Sequence, residues 1–252
     1  MRIDLAGRRA LVTGGSRGIG AAAARLLAAA GAQVGIAYRS RHSEASALVR
    51  ELEDRGSSAW AHAGDLSQPH EVQRLFERAR DEFGGLDIFI GNAGIWVPED
   101  VPVAQMTDEQ WRRTLGANLD SIFYCTREAA RIMNDQGRIV IIGSTAGQRG
   151  EAGHADYAAT KGAIIAFVKG VCVELAPRDI TVNCVAPGWV DTEMAALPYS
   201  GGGRARIEAG IPLGRVASAE DVAAPAVFLC STYARHITGE TLNVNGGSVL
   251  CG

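Results

Sequence analysis

Short β-rich runs alternate with longer helical patterns along the whole chain of 252 residues. Several of the short runs, such as "RIVIIG" at 138–143, are apolar almost throughout. Strands have that composition when helices cover both faces of a parallel sheet. End-to-end alternation of this kind predicts a doubly wound α/β fold.

The pattern predicts seven strands and six helices. Strands are expected at 8–13, 33–38, 58–63, 86–91, 138–143, 180–185 and 241–245, and helices at 19–30, 43–55, 68–83, 108–133, 156–175 and 219–229. No internal repeat, low-complexity tract or linker divides the chain. We therefore expect one domain over residues 1–252.

The composition is that of a globular protein with no preference for polyanions. The formal net charge is −3, without any basic block, so neither nucleic acid nor an anionic membrane surface is an expected partner. The start "MRIDLAGRRA" lacks the apolar core of a signal peptide, and the longest apolar stretches are far too short to span a bilayer. Five cysteines, of which Cys251 is the last, show no metal-ligand spacing, so we expect reduced thiols, no metal and a cytoplasmic protein.

One long region is irregular. Residues 187–215 contain three prolines and the run Gly201–Gly203, and they follow the carboxyl end of a predicted strand. Open α/β sheets bind ligands at that edge. We predict a substrate lid at about 188–215, with a variable surface excursion as the alternative.

The stretch "LVTGGSRGIG" at 11–20 places four glycines directly after the first predicted strand and at the start of the first predicted helix. Gly14 can make the sharp turn, Gly18 lets the backbone approach a pyrophosphate at the helix N-terminus, and Gly20 permits close packing of helix on strand. A P-loop would continue with Lys and Ser or Thr where Ile19 and Gly20 stand. The loop therefore favours a dinucleotide.

Tyr157 and Lys161 lie four residues apart on a predicted helix, so their side chains share one face. A nearby ammonium favours the phenolate and lowers a tyrosine pKa from its usual value of about 10, which suits a general acid or base. Ser144 follows the strand predicted at 138–143, where a hydroxyl can donate to a carbonyl oxygen. The structural alternatives are a buried tyrosine beside a surface lysine and a serine that closes a turn.

The spacing Thr-Gly-x-x-x-Gly-x-Gly resembles the cofactor loop of the short-chain dehydrogenase/reductase family. Further family motifs follow in order over essentially the whole chain: "GDL" at 64–66, "NAG" at 92–94, Asn118, Ser144, Tyr157-x-x-x-Lys161, "PG" at 187–188 and Thr192. The resemblance implies a Rossmann fold whose seven-stranded parallel sheet has the order 3-2-1-4-5-6-7, with helices on both faces. It also implies hydride transfer between a nicotinamide cofactor and a carbonyl compound or secondary alcohol.

The resemblance assigns four catalytic residues. Tyr157 delivers the proton and Ser144 orients the carbonyl group. Lys161 lowers the pKa of the tyrosine and binds the nicotinamide ribose. Asn118 holds a water that links the lysine to solvent, and a purely structural asparagine is the alternative.

The same resemblance assigns a larger set to the cofactor, with Asp65 at the adenine edge and Thr192 at the carboxamide. The expected cofactor residues are Gly14, Ser16, Arg17, Gly18, Ile19, Gly20, Tyr38, Arg39, Ser40, Asp65, Leu66, Asn92, Ala93, Gly94, Tyr157, Lys161, Pro187, Gly188, Val190 and Thr192. The expected substrate pocket consists of Trp96, Ser144, His154, Trp189 and Tyr199. His154 is expected to line this pocket rather than to act as a general base.

The end of the second strand bears on the choice of cofactor. NAD-preferring sites usually carry an acid there for the ribose 2′-hydroxyl, whereas "GIAYRSR" offers Tyr38 and Arg39. Arg17 adds a second cation from the glycine loop, and guanidinium groups suit phosphate. We expect a preference for NADP(H), with use of NAD(H) left open; arginines on a solvated loop are the alternative.

Within the family, the sequence looks most similar to 3-oxoacyl-[acyl-carrier-protein] reductases, on "IPLGRVASAEDVAAPAVFLCS" and "GETLNVNGG". It departs from them at 133–136, where "MNDQ" replaces basic residues; this weighs against carrier-protein docking and leaves Arg178 as a candidate docking cation. A sugar or polyol dehydrogenase using NAD(P) is the alternative function. A non-catalytic, cofactor-binding regulator is the alternative of another class, and the complete catalytic set argues against it.

Family resemblance also implies a homotetramer with 222 symmetry. The helices predicted at 108–133 and 156–175 carry apolar residues beyond what one sheet face requires: Phe123, Ile164, Phe167, Val168 and Val171. We expect these helices to pair across a two-fold axis.

Overall fold

The computed structural model describes residues 2–250, so Cys251 lies outside the described residues. Seven parallel strands form one sheet in the order β3-β2-β1-β4-β5-β6-β7, which confirms the predicted fold class. The strands are β1 (Arg9–Thr13), β2 (Gln33–Tyr38), β3 (Ala59–Ala63), β4 (Leu86–Gly91), β5 (Met133–Ile142), β6 (Thr181–Pro187) and β7 (Thr241–Val244). β1 pairs with both β2 and β4, so the strand order reverses beside β1.

Ten α-helices are present in the described part of the chain: α1 (Gly18–Ala29), α2 (His42–Asp54), α3 (Pro69–Phe83), α4 (Asp108–Leu115), α5 (Ser121–Ile132), α6 (Ala146–Arg149), α7 (Ala155–Leu175), α8 (Ala196–Tyr199), α9 (Gly203–Ala209) and α10 (Ala219–Leu229). Thr107 caps the start of α4 by accepting a hydrogen bond from the Gln110 backbone. Ser218 and Asp221 form a capping box at the start of α10. No helix between residues 2 and 250 is long and apolar enough to cross a membrane.

Two apolar layers hold the helices against the two faces of the sheet. Leu11 and Val12 are neighbours in β1, have no exposed surface, and belong to different layers. α1, α2 and α10 pack on the layer of Val12, whereas α3, α5 and α7 pack on the layer of Leu11. The strands are apolar at successive positions because both faces are buried in this way.

The stretch 108–133, predicted as one helix, is divided in the structure. α4 ends at Leu115, a π-helical turn covers Gly116–Asp120, and α5 continues to Ile132. Hydrophobic spacing does not reveal such a turn, because a single extra residue leaves the apolar face recognisable on both sides. β5 then begins at Met133, earlier than predicted, with an irregular register against β4.

Only some of the apolar residues that we expected on the outer faces of the long helices are exposed. Ile164 and Val168 are fully buried in the core, so the expectation that they contribute to an outer face is wrong. Phe123 is 44% exposed, whereas Phe167 and Val171 are half-buried against the same core layer. The surface available for pairing of these helices is therefore smaller than the sequence pattern indicated.

Candidate active site

The glycine loop links β1 to α1 and lies close against neighbouring backbone. Gly14 and Gly18 have φ values of 63° and 53°, which glycine adopts without strain. A Cβ on Gly14 would lie 2.8 Å from Asn92 Nδ2, and one on Gly20 would lie 2.2 Å from the Gly14 carbonyl oxygen. The first turn of α1 contains no acidic residue, so its free N–H groups meet no carboxylate of their own helix. This cradle fits the pyrophosphate of a dinucleotide.

Asn92 ties the carboxyl ends of β1 and β4 together. Its backbone N–H donates to Thr13 Oγ1 at 3.0 Å, and the Ala93 N–H donates to the same oxygen at 3.1 Å. Its side-chain amide donates to the carbonyls of Thr13 and Gly14 at 3.0 and 3.1 Å. The strand order reverses at this point, which is where ligands of open α/β sheets bind.

Two adjoining cavities of about 390 and 410 Å³ lie along this edge of the sheet and share lining residues such as Ile19, Asn92, Gly94 and Thr192. We call the first, which contains Tyr157, the tyrosine cavity, and the second the arginine cavity. Among the expected cofactor residues, the arginine cavity adds Gly14, Ser16, Arg17, Gly18, Tyr38, Arg39, Ser40, Asp65, Leu66 and Ala93, and the tyrosine cavity adds Tyr157, Lys161, Pro187, Gly188 and Val190. Gly20 lines neither cavity, and its contribution is the close packing described above.

The structure brings Ser144, Tyr157 and Lys161 together in the tyrosine cavity. Ser144 lies just beyond the end of β5, while the other two occupy successive turns of α7. The Ser144 side chain acts on Tyr157 and lowers its pKa. Lys161 Nζ donates to the Ile142 carbonyl at 2.9 Å and lies 5.6 Å from the centroid of the Tyr157 ring.

Burial decides the proton state of these groups. Burial raises the pKa of Tyr157 to about 12, even though the Ser144 side chain acts in the opposite direction. It lowers the pKa of Lys161 to about 8. Burial outweighs the other contributions to the Tyr157 pKa, and the ammonium of Lys161 is directed to the Ile142 carbonyl. The lowering of the tyrosine pKa by Lys161 stays a prediction. At neutral pH the tyrosine is a neutral phenol and the lysine is charged.

Asn118 is fully buried in the π-helical turn. Its Oδ1 accepts from the Ile95 N–H at 2.7 Å, and its Nδ2 donates to the Ile95 carbonyl at 2.9 Å. A Cβ on Gly94 would lie 3.1 Å from Asn118 Oδ1 and 3.9 Å from Lys161 Nζ. Asn118 thus fixes the loop after β4 beside the lysine, and the water expected at Asn118 stays a prediction.

Two tryptophans line the tyrosine cavity, each with a second ring behind it. Trp96 and Trp189 meet edge to face with centroids 5.9 Å apart. His154 stacks on Trp96 at 4.7 Å, and Tyr199 packs on Trp189 at 5.9 Å while its hydroxyl donates to the Val190 carbonyl. His154 and Tyr199 are not among the residues that line the cavity, so they act on it through the tryptophans.

Sequence reasoning missed three charged residues of the tyrosine cavity, namely Arg149, Glu151 and Arg206. Burial raises the pKa of Glu151, against the opposing effects of His154 and Arg149. No motif marks these residues. The available signal was that Arg149 and Glu151 stand in the short segment between Ser144 and Tyr157.

Three arginines line the arginine cavity. Arg17 and Arg39 were expected there, whereas Arg41 was overlooked although it stands in the same stretch "GIAYRSR". Arg39 Nη1 lies 3.9 Å from an Asp65 carboxylate oxygen. Arg17 and Arg41 both donate to a single carboxylate oxygen of Glu193, which sequence reasoning also missed. Three carboxylates, those of Asp65, Asp191 and Glu193, line the same cavity. The guanidinium groups are nevertheless the donors that suit an additional phosphate on a nucleotide.

Comparisons with known proteins agree with this geometry. The family model described as "Enoyl-(Acyl carrier protein) reductase" matches residues 14–248. The "3-oxoacyl-[acyl-carrier-protein] reductase FabG" of Escherichia coli (strain K12) is 41% identical over 250 residues, which are 98% of this chain and 100% of that protein.

Solved structures match over the full fold. A short chain dehydrogenase from Burkholderia cenocepacia J2315, solved in complex with NADP, has a TM-score of 0.91 at 39% identity, covering 97% of this chain and 98% of that one. A Brucella melitensis protein described as "Short-chain dehydrogenase/reductase SDR:Glucose/ribitol dehydrogenase" has a TM-score of 0.93 at 32% identity, covering 100% of both chains. The glycine loop, the Ser144–Tyr157–Lys161 group, the strand order and these matches together show that the chain belongs to the short-chain dehydrogenase/reductase family.

Proposed function

We propose that this protein uses NADPH to reduce the carbonyl group of a 3-oxoacyl thioester. The placement of Ser144, Tyr157 and Lys161 in a cavity that adjoins the dinucleotide cradle carries the proposal. The arginines of the neighbouring cavity favour a cofactor with a 2′-phosphate, and the Burkholderia relative was solved with NADP. The name of the Escherichia coli relative supplies the substrate class, a 3-oxoacyl group.

Tyr157 is the proposed proton donor. Because burial raises its pKa to about 12, the phenol stays protonated at neutral pH and can deliver its proton to the carbonyl oxygen as negative charge develops there. The Ser144 hydroxyl donates a hydrogen bond to the same oxygen. The bound nicotinamide supplies the hydride. Lys161, an ammonium below a pH of about 8, stabilises the phenolate that remains.

We assign the cofactor residues by the parts of the cleft they line. The loop at Gly14–Gly20 and the start of α1 receive the pyrophosphate. The arginine cavity receives the adenosine half, with Asp65 at the adenine edge. Thr192, which lines both cavities, is assigned to the carboxamide.

An acyl carrier protein is the proposed donor of the substrate, in keeping with the name of the relative. Arg178 is not assigned to its docking, because this guanidinium is held within the chain. It donates to Asp135 at 2.9 Å and to the carbonyls of Ala130 and Met133.

We also propose a cytoplasmic homotetramer with 222 symmetry, in which α5 and α7 pair across two-fold axes. Phe123, exposed by 44%, and the half-buried Phe167 and Val171 support this pairing. The segment 188–215 is proposed as a substrate lid, since Met194 and Arg206 of this segment line the tyrosine cavity.

The test is oxidation of NADPH in the presence of a 3-oxoacyl thioester, a simple ketone and a ketose, with ribitol and NADP⁺ for the reverse reaction. We expect the thioester to react fastest, and Tyr157→Phe to lower kcat at least about a hundredfold with an unchanged Kd for NADPH. Tyr233→Phe is the matched control, since that hydroxyl only meets the Arg2 carbonyl at the surface. Faster turnover of ribitol, or a Tyr157→Phe enzyme within a few-fold of wild type, contradicts the proposal.

A further inference from the structure

A carboxylate from the far side of the cleft occupies two of the three guanidinium groups in the arginine cavity. Arg17, from the glycine loop, donates through Nη1 to Glu193 Oε2. Arg41, which precedes α2, donates through Nη2 to the same oxygen at 3.1 Å. We call this arrangement the Arg17–Glu193–Arg41 bridge. All three residues line the arginine cavity.

The bridge lies where a ribose 2′-substituent is recognised in this fold. The 2′ position is read by residues that follow the second strand, and β2 ends at Tyr38, just before Arg41. A phosphate bound there would seek the guanidinium donors that Glu193 now uses. Phosphate and carboxylate are both anions, so the two cannot share these donors without mutual repulsion.

Glu193 lines the arginine cavity only, but residues that line the tyrosine cavity follow it directly in the chain. The next residue, Met194, lines both cavities, and Ala195 lines the tyrosine cavity alone. α8 and α9 follow, and Arg206 and Ile207 of α9 line the tyrosine cavity as well. A movement of Glu193 can therefore reach the wall of the tyrosine cavity through the residues that follow it in the chain.

We propose that Glu193 is a cofactor-discriminating residue that competes with the 2′-phosphate of NADP(H) for Arg17 and Arg41, and that this phosphate releases it. An unphosphorylated ribose leaves the bridge intact. Binding of the 2′-phosphate would thereby change the contacts at the start of the segment 193–209, and later residues of this segment line the tyrosine cavity. This inference rests on the proposed use of NADP(H).

The size of the effect follows from exposure. Arg17, Arg41 and Glu193 keep 44%, 47% and 56% of their side-chain surface exposed, so solvent weakens both ion pairs. Two exposed pairs of this kind correspond to roughly a three- to tenfold change in affinity. The affected ligand is any nucleotide with a 2′-phosphate, whether or not it carries a nicotinamide.

The experiment compares adenosine 2′,5′-bisphosphate with adenosine 5′-monophosphate by calorimetry. Glu193→Gln is expected to bind the bisphosphate about three- to tenfold more tightly than wild type and the monophosphate equally well. Glu208→Gln is the matched control, because it removes the same charge from the same segment but pairs with Arg204 instead. We expect it to change neither affinity.

Hydrogen exchange at residues 194–199 gives a second readout. In wild type the bisphosphate should raise exchange there and the monophosphate should not, while in Glu193→Gln neither should change it. Equal bisphosphate affinities for wild type and Glu193→Gln overturn the competition. Equal affinities of wild type for the two nucleotides refute the NADP(H) preference instead, so the two failures are distinguishable.

Discussion

Replacing Lys161 with methionine should make the protein more stable at neutral pH while abolishing its activity. The lysine is 5% exposed, and burial lowers its pKa from 10.5 to about 8. At a pH below both pKa values, the charged amine therefore lowers the free energy of unfolding by about 3 kcal/mol. Methionine fills a similar volume without a charge.

The substitution also loses one favourable contact. Lys161 Nζ donates to the Ile142 carbonyl at 2.9 Å, and leaving that buried acceptor unpaired costs about 1 kcal/mol. The expected net gain in the free energy of unfolding at pH 7 is about 2 kcal/mol, which raises Tm by roughly 4–8 °C for a chain of this size. Thermal unfolding at a fixed protein concentration measures it.

The dependence on pH identifies the cause. Between pH 8 and pH 10.5 the unfolded chain binds the lysine proton and the folded chain does not, so the stability of wild type rises with pH through this window. The advantage of Lys161→Met should therefore shrink across that window and be absent above it. Lys169→Met, at an exposed position of the same helix, is the control and should show neither effect. A gain that is absent at pH 7, or equal at pH 7 and pH 10.5, would refute the reasoning.

Three further predictions concern the cofactor, the assembly and the glycine loop. Arg39→Ala should weaken NADPH about tenfold to a hundredfold and leave NADH nearly unchanged, and Tyr38→Asp should reverse the preference; equal losses for both cofactors in kcat/KM would contradict this. Light scattering at micromolar concentration should show a tetramer that Phe123→Asp dissociates, whereas a wild-type monomer would exclude the proposed pairing. Gly20→Ala should lower Tm and abolish NADPH binding, since its Cβ would lie 2.2 Å from the Gly14 carbonyl oxygen; normal binding by fluorescence would count against the cradle.

The strands were predictable because each is apolar on two buried faces, which leaves an almost continuous apolar run in the sequence. The π-helical turn at Gly116–Asp120 was not predictable, since it is held by a tertiary contact, in which Asn118 accepts a hydrogen bond from the Ile95 backbone. Such a turn changes hydrogen bonding without changing the apolar pattern.

Site residues that belong to a local sequence motif were predictable. Contacts between residues that only the fold brings together were not. Tyr157 and Lys161 are neighbours on one helix and were identified, but the direction of the tyrosine pKa depends on burial and on where the amine is directed. Glu193 meets Arg17 from a distant part of the chain, so no local spacing indicates that pair. His154 illustrates the opposite error, because a polar residue near the catalytic group was expected at the cavity and instead stacks behind Trp96.

The pairing of β1 with β4 has a consequence for how the chain folds. Ala10 lies opposite Ile88, and two strands and three helices must be accommodated between them before that pair can form. Closing so long a loop is slow, because the chain loses conformational entropy before the contacts between the strands contribute favourable free energy. The dinucleotide cradle forms only when β1 and β4 have paired. A cofactor can therefore bind, and stabilise, only chains that have completed this step. Saturating NADPH should therefore slow unfolding and leave the refolding rate almost unchanged.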